Sequence, residues 1–165
     1  MHVASRDPNT RFLCTYGKFG VSHAHSDVFT KWTHVAVPVL GHGKIVQTIE
    51  VEEKNTKGFA GDLFAGVYSN TASGLPGDLI AGGSATAASG CTKIEIPISP
   101  TKLLYHKTYW IMEQVYPHDH ANVLYWAVDP GTLRKAYVQT HSGSSGDSST
   151  SPWEEKRKGP YVRLR

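Results

Sequence analysis

The sequence predicts an all-β protein: a single-domain β-sandwich of jelly-roll topology with about nine strands. Segments in which apolar and polar residues alternate recur along the chain, turn signals separate them at intervals of roughly ten residues, and no helical pattern outlasts one turn. Composition agrees with this. Of the 165 residues, 19% are charged, below the usual quarter, while glycine is abundant and Ser and Thr recur throughout, which suits short strands and long loops. A chain of this length buries roughly two thirds of its unfolded surface, so folding needs neither a disulfide scaffold nor an oligomer.

The clearest element is the hairpin from Leu63 to Ala85. Leu63, Ala65 and Val67, then Leu79, Ala81 and Gly83, keep a period of two on either side of the turn-rich centre Ser69 to Gly77. Gly74 and Gly77 accept positive φ, Pro76 presets a turn, and Ser69 and Asn70 can bond their own backbone. Upstream, residues 1–12 form a loosely held arm, and residues 13–165 form the sandwich. The first clear strand is Thr30 to Leu40, with Trp32, His34, Ala36 and Pro38 on one face and Thr33, Val35, Val37 and Val39 on the other. Pro38 has no amide hydrogen and belongs at an edge or a strand end. Lys44 to Glu53 is the next strand by its β-branched content.

Beyond the hairpin, Cys91 to Ser99 turns Ile94, Ile96 and Ile98 inward and Lys93 and Glu95 outward. Residues 99–105, SPTKLLY, read as a polar turn followed by an apolar plug, and His106 to Tyr116 as a central strand. Val123 to Val128 and Leu133 to Thr140 follow as strands. The Ser/Gly-rich run 142–152 is a long loop within the domain, because GPYVRLR after it makes a credible last strand.

The net charge of +3 is small, and its basic excess gathers in Lys156, Arg157, Lys158, Arg163 and Arg165. That pattern fits a charge-protected edge strand better than a phosphate-binding tail, so no nucleic-acid partner is expected. No window approaches eighteen apolar residues, so no membrane span is expected. MHVASRDPNT lacks the hydrophobic core of a signal peptide, so an exported form would have lost its leader. Cys14 and Cys91 show no metal or redox spacing; they either pair in an oxidising compartment or stay as two small apolar side chains.

The order of AGVYSNTASGLPGDLIAGGSA, KIEIPISPTKLLYHKTYWIMEQV, VLYWAV and PWEEKRKGPYVRLR resembles the bacterial exported choice-of-anchor β-sandwich domains over most of residues 30–165. Tyr68, Pro76, Gly77, Tyr109, Trp110 and Trp153 fall in the expected order, while His106 and Lys107 stand where a glycine turn is common. The resemblance implies an architecture similar to carbohydrate-binding jelly rolls, an extracellular or cell-surface location, and no transferable catalytic set.

Candidate site residues follow from chemistry. His118 and His120 flank Asp119 and share a face if the segment is extended, so this loop is the candidate metal site for zinc; His23, His25 and His42 are further imidazoles. Calcium would instead use loop carboxylates among Asp62, Asp78, Asp119, Asp129 and Asp147, which lack EF-hand spacing. No cofactor is certain. Trp110 and Tyr68 sit in apolar strands and read as core, whereas Tyr116, Tyr125 and Trp153 lie nearer polar neighbours and, with Asn122, are the candidate ligand-binding residues. Glycosidase chemistry needs two facing carboxylates. Glu50, Glu52 and Glu53 read as outward positions or a strand end, and Glu113, inside YWIMEQV, is either a buried acid of raised pKa or an outward position, the commoner case. No nucleophile elbow or phosphate loop occurs. The sequence thus points to a non-catalytic extracellular module whose partner is a polysaccharide or glycan. A structural domain contacting another extracellular protein, or a metal-dependent hydrolase using His118 and His120, are the alternatives.

Overall fold

The computed structural model describes residues 31–55, 60–88, 90–117, 125–126, 136–144, 147–150, 152–156 and 162–165. These residues contain no helix, and so none long and apolar enough to cross a membrane. They form β1 (Lys31–Leu40), β2 (Ile45–Asn55), β3 (Gly61–Asn70), β4 (Pro76–Thr86), β5 (Gly90–Lys102), β6 (Thr108–Pro117), β7 (Tyr125–Trp126), β8 (Ala136–Ser144), β9 (Asp147–Thr150), β10 (Glu154–Lys156) and β11 (Val162–Leu164). A 7-stranded sheet runs β10-β8-β1-β6-β3-β4 with β9 beside β8, and a 4-stranded sheet runs β11-β2-β5 with β7 beside β2. The strands pair antiparallel throughout, and the two sheets pack face to face on one apolar cluster.

Alternation decides what enters that cluster. Tyr109 and Ile111 of β6, Val35 and Val37 of β1, and Leu63, Ala65 and Val67 of β3 point inward to meet Ile49 and Val51 of β2 and Ile94, Ile96 and Ile98 of β5. The outward row of β6 is also withdrawn from water. Trp110 and Met112 join Ala36 in a second cluster, against which Tyr68, Tyr137 and Trp153 pack. Trp110 donates its indole hydrogen to Asn70 Oδ1 at 2.9 Å and meets the Tyr137 ring edge-on at 5.2 Å, so its polar edge is satisfied where it is buried. Trp110, read as core from its apolar strand, is buried, though on the outer face of the larger sheet rather than between the sheets. Pro38 pairs with Trp110 on one side, but β8 follows β1 only as far as Ala36, so the missing amide hydrogen falls where that ladder has stopped.

Three local expectations are corrected. Leu79 does not share the inward face of Ala81: the ladder shifts register between Val67 and Tyr68, opposing Tyr68 to Leu79, and this bulge turns Leu79 out to solvent. The turn itself is shorter than Ser69 to Gly77; Thr71 N–H donates to Leu75 O at 2.9 Å, and Gly74 supplies the positive φ of 77°. The strand expected from His106 begins at Thr108, because His106 has φ of 60° and lies in the preceding turn, taking the conformation for which glycine is favoured.

The serine-rich run also differs from a simple loop. Ser142 to Ser144 belong to β8, and Asp147 to Thr150 return beside them as β9, with Gly143 opposite Ser148. A ladder needs only backbone donors and acceptors, so a run without apolar alternation gives no pattern from which to read it. Of the cysteines, Cys14 lies outside the described residues and Cys91 pairs with Lys54 in the β2–β5 ladder.

Ile111 sits at the centre of the inter-sheet cluster with no exposed surface. Ile111→Ala is expected to lower unfolding free energy by about 3 kcal/mol, by lost transfer energy and the cavity left behind, with an unchanged slope in urea denaturation.

Candidate functional site

Strand order brings the β1–β2, β3–β4 and β5–β6 turns to one end of the sandwich, since Leu40 opposes Thr108, Ser69 opposes Tyr109 and Ile45 opposes Lys102. Two of these turns are bonded into one unit. Gly41 N–H donates to Lys107 O at 2.9 Å, and Gly41 O accepts from His106 N–H at 3.2 Å. Gly43 N–H donates to Leu103 O at 2.7 Å, and Leu103 N–H to Lys44 O at 3.0 Å. Below them the Tyr109 hydroxyl, carried on a buried side chain, accepts from Leu104 N–H at 3.0 Å. Gly41 is required by approach, because a methyl group there would collide with the Leu104 carbonyl oxygen.

This locked backbone presents apolar side chains to water: Leu40 is 49% exposed, Ile45 57%, Leu104 50% and Tyr105 66%. One edge of the Tyr105 ring lies over Gly43, and His106 meets it edge-on with centroids 4.7 Å apart. The same two turns and their flanks carry the exposed side chains of His42, Lys44, Lys102, His106 and Lys107, and neither turn contains Asp or Glu. The segment read as an apolar plug is therefore split: Leu103 plugs the core, and Leu104 and Tyr105 project outward. Period-two reasoning fails inside a turn; the cationic residues flanking LLY on both sides were the available signal.

The residues expected to bind ligand lie elsewhere. Tyr116 opposes Asp62 in the larger sheet and Tyr125 opposes Lys54 in the smaller one, both at the end of the sandwich away from Tyr105. Trp153 is half-buried and packs on the Ala36, Trp110 and Met112 cluster. Asn122, His118, Asp119 and His120 lie outside the described residues, as do His23, His25 and Asp129. His42 is exposed at the tip, and Asp62 accepts a hydrogen bond from Thr86 Oγ1 at 3.3 Å.

Sequence reading placed the glutamates only in part. Glu50 and Glu52 do face outward from β2, yet both are buried: Arg165 reaches Glu50 at 2.9 Å and Glu95 at 3.1 Å, and Lys93 reaches Glu52 at 3.5 Å. Glu53 and Glu113, by contrast, are core groups on opposite sheets, 2% and 1% exposed. Glu113 takes the less common of its two expected positions because its row on β6 is the inward one, flanked by Val35 and Ala65. Glu53 Oε1 accepts from Ala88 N–H at 3.0 Å, whereas Oε2 of each glutamate is buried without a hydrogen-bond partner among the described residues. Burial pushes the Glu53 carboxyl from 4.5 up to about 7, against the lowering effect of the Ala88 amide. Burial first, and the charge of Glu53 second, push Glu113 well above the usual carboxylate range. Two such groups are at ease only when protonated. Both carboxyls are withdrawn from the described surface, and their desolvation is a cost to the fold.

No family model, curated protein or solved structure matches the chain. Among the described residues, no group of three or more His, Cys, Asp or Glu side chains is placed to hold a metal ion.

Two outcomes test this geometry. Below pH 4.5 the folded and unfolded chains both hold the Glu53 proton, and above it only the folded chain does until about 7. Stability is then greatest in acid and falls by about 3 kcal/mol as pH rises through that window, at about 1.4 kcal/mol per unit, with Glu113 adding to the fall. Denaturation midpoints measured from pH 4 to 8 check the direction, and Glu53→Gln should flatten the profile. Gly41→Ala should cost about 2 kcal/mol through the clash with Leu104 O. Its amide-exchange signature should be faster exchange at Gly43 and Leu103 than in the β3–β6 ladder.

Proposed function

We propose that the chain is a non-catalytic extracellular binding module, a sandwich of jelly-roll type that takes polysaccharide or glycan at the Tyr105 tip. The observation that carries this is an aromatic ring 66% exposed on a turn that backbone hydrogen bonds already hold in place. A sugar offers apolar C–H faces to such a ring and hydroxyls to its neighbours, and His42, Lys44 and His106 stand within the same two turns. Little order has to be created on binding, because the turn is fixed beforehand. The likeness of residues 30–165 to exported choice-of-anchor domains supports the location and the class of ligand.

A second reading, contact with another extracellular protein, is favoured by Leu40, Ile45 and Leu104, whose aliphatic exposure resembles an interface core more than a sugar site. The two readings part on mutation. Tyr105→Ala should weaken binding to the responsive polysaccharide at least tenfold by calorimetry while Leu40→Ser leaves it within about threefold; a protein interface would lose affinity with both. Loss with neither, on a panel that binds the unmodified chain, would move the site away from the tip.

A further inference from the structure

Resting on that reading, we infer that the saccharide taken at the tip is anionic, a polysaccharide bearing carboxylate or sulfate groups. The two turns that carry Tyr105 also carry three lysines. Lys44, Lys102 and Lys107 are exposed, and a lysine ammonium has three donors and no acceptor. The turns 40–45 and 102–108 contain no Asp or Glu, so their fixed charge is wholly positive, while His42, His106 and the Tyr105 hydroxyl are among their uncharged polar groups. The ligand that satisfies that charge carries excess acceptors, and negative charge supplies both the acceptors and the attraction.

Surrounding charges leave that field standing. Glu50 and Glu95, the carboxylates of the smaller sheet nearest the chain end at Arg165, are both bridged by its guanidinium. Asp78 is exposed on β4, a strand that also meets β5, where Gly83 closes on the Pro97 carbonyl, so this carboxylate lies on the Lys102 side of the tip. It offsets part of the charge there, while Lys44 stands on the other turn and Lys107 just before β6. Lys107 is also held: its Nζ lies 5.6 Å from the Tyr109 ring centroid, within reach of a cation–π attraction. An aromatic ring for the sugar face beside lysines for its charged substituents is a divided site, with stacking and charge contributing separately.

The test uses matched pairs: polygalacturonate against the same polymer with its carboxyl groups reduced, and dextran sulfate against dextran. Binding of the full chain is measured by calorimetry in 50 mM and 500 mM salt. The charged member of at least one pair should bind tenfold or more tightly in low salt, and the preference should shrink in high salt. Lys102→Ala with Lys107→Ala should abolish the preference, Tyr105→Ala should weaken both members of the pair, and Lys156→Ala with Arg157→Ala, in the other basic run, should change neither. Equal, salt-insensitive binding of charged and neutral polymers that still needs Tyr105 overturns the anionic inference and leaves the binding module intact. Charge preference lost in the Lys156 and Arg157 variant, with the tip variant unaffected, overturns it by placing the attraction elsewhere. Binding to none of the polymers, or only to vesicles containing phosphatidylserine, overturns both the inference and the carbohydrate reading beneath it.

Discussion

Val35, Val37, Val67 and Ile111 on the larger sheet close against Ile49, Val51, Ile94 and Ile96 on the smaller one, and this apolar seam holds two hydrogen-bonded layers together that have no other reason to meet. At roughly 25 cal/mol per Å² of apolar surface removed from water, such a seam is the main favourable contribution of a sandwich. It also fixes register: a slip of one residue in β6 would drive Trp110, Met112 and Gln114 into the seam and expel Tyr109, Ile111 and Glu113. The constraint is tighter than usual for an antiparallel sheet, because the outer face of β6 is occupied as well, by the cluster of Ala36, Trp110 and Met112.

Within this seam the Glu53 and Glu113 pair is anomalous. An apolar residue at either place would satisfy the same packing without the desolvation cost. The cost is softened by letting the groups remain protonated and, at Glu53, by the Ala88 N–H that donates to it. Glu53 sits near the end of β2 that lies away from Tyr105, and Glu113 lies midway along β6. Titration there acts on how firmly the two sheets hold together, whereas ligand at the tip meets a separate set of groups.

How much of this was legible from the sequence depends on which physical rule each element obeys. Where a strand has one face in the seam, alternation alone identified the inward residues, as for Ile94, Ile96 and Ile98 or Leu63, Ala65 and Val67. Where a bulge breaks the period, as at Tyr68 and Leu79, the rule gives the wrong face, since one extra residue leaves no mark in composition. The β8–β9 hairpin was illegible for another reason: its ladder is written in backbone groups that every serine and glycine carries alike. The burial of Glu113 could not be read because a charged residue in an alternating strand is usually the outward one, and only pairing with Val35 and Ala65 reveals the row it occupies. For the tip, the residues were visible but their grouping was not, since Leu40 and Tyr105 are 65 positions apart and meet only through hydrogen bonds between turns.

That last point bears on why the tip suits recognition. In most of the chain, side chains hold the backbone in place, so replacing one moves the rest. At the tip the relation is reversed: Gly41, Gly43, Leu103 and Lys107 are held through their amides and carbonyls, with Leu104 N–H anchored to Tyr109 below. The ring of Tyr105 and the ammonium groups beside it bear none of that load, which leaves them open to change without loss of fold. A surface whose shape is set by backbone and whose chemistry is set by unburdened side chains can be tuned to a ligand one residue at a time.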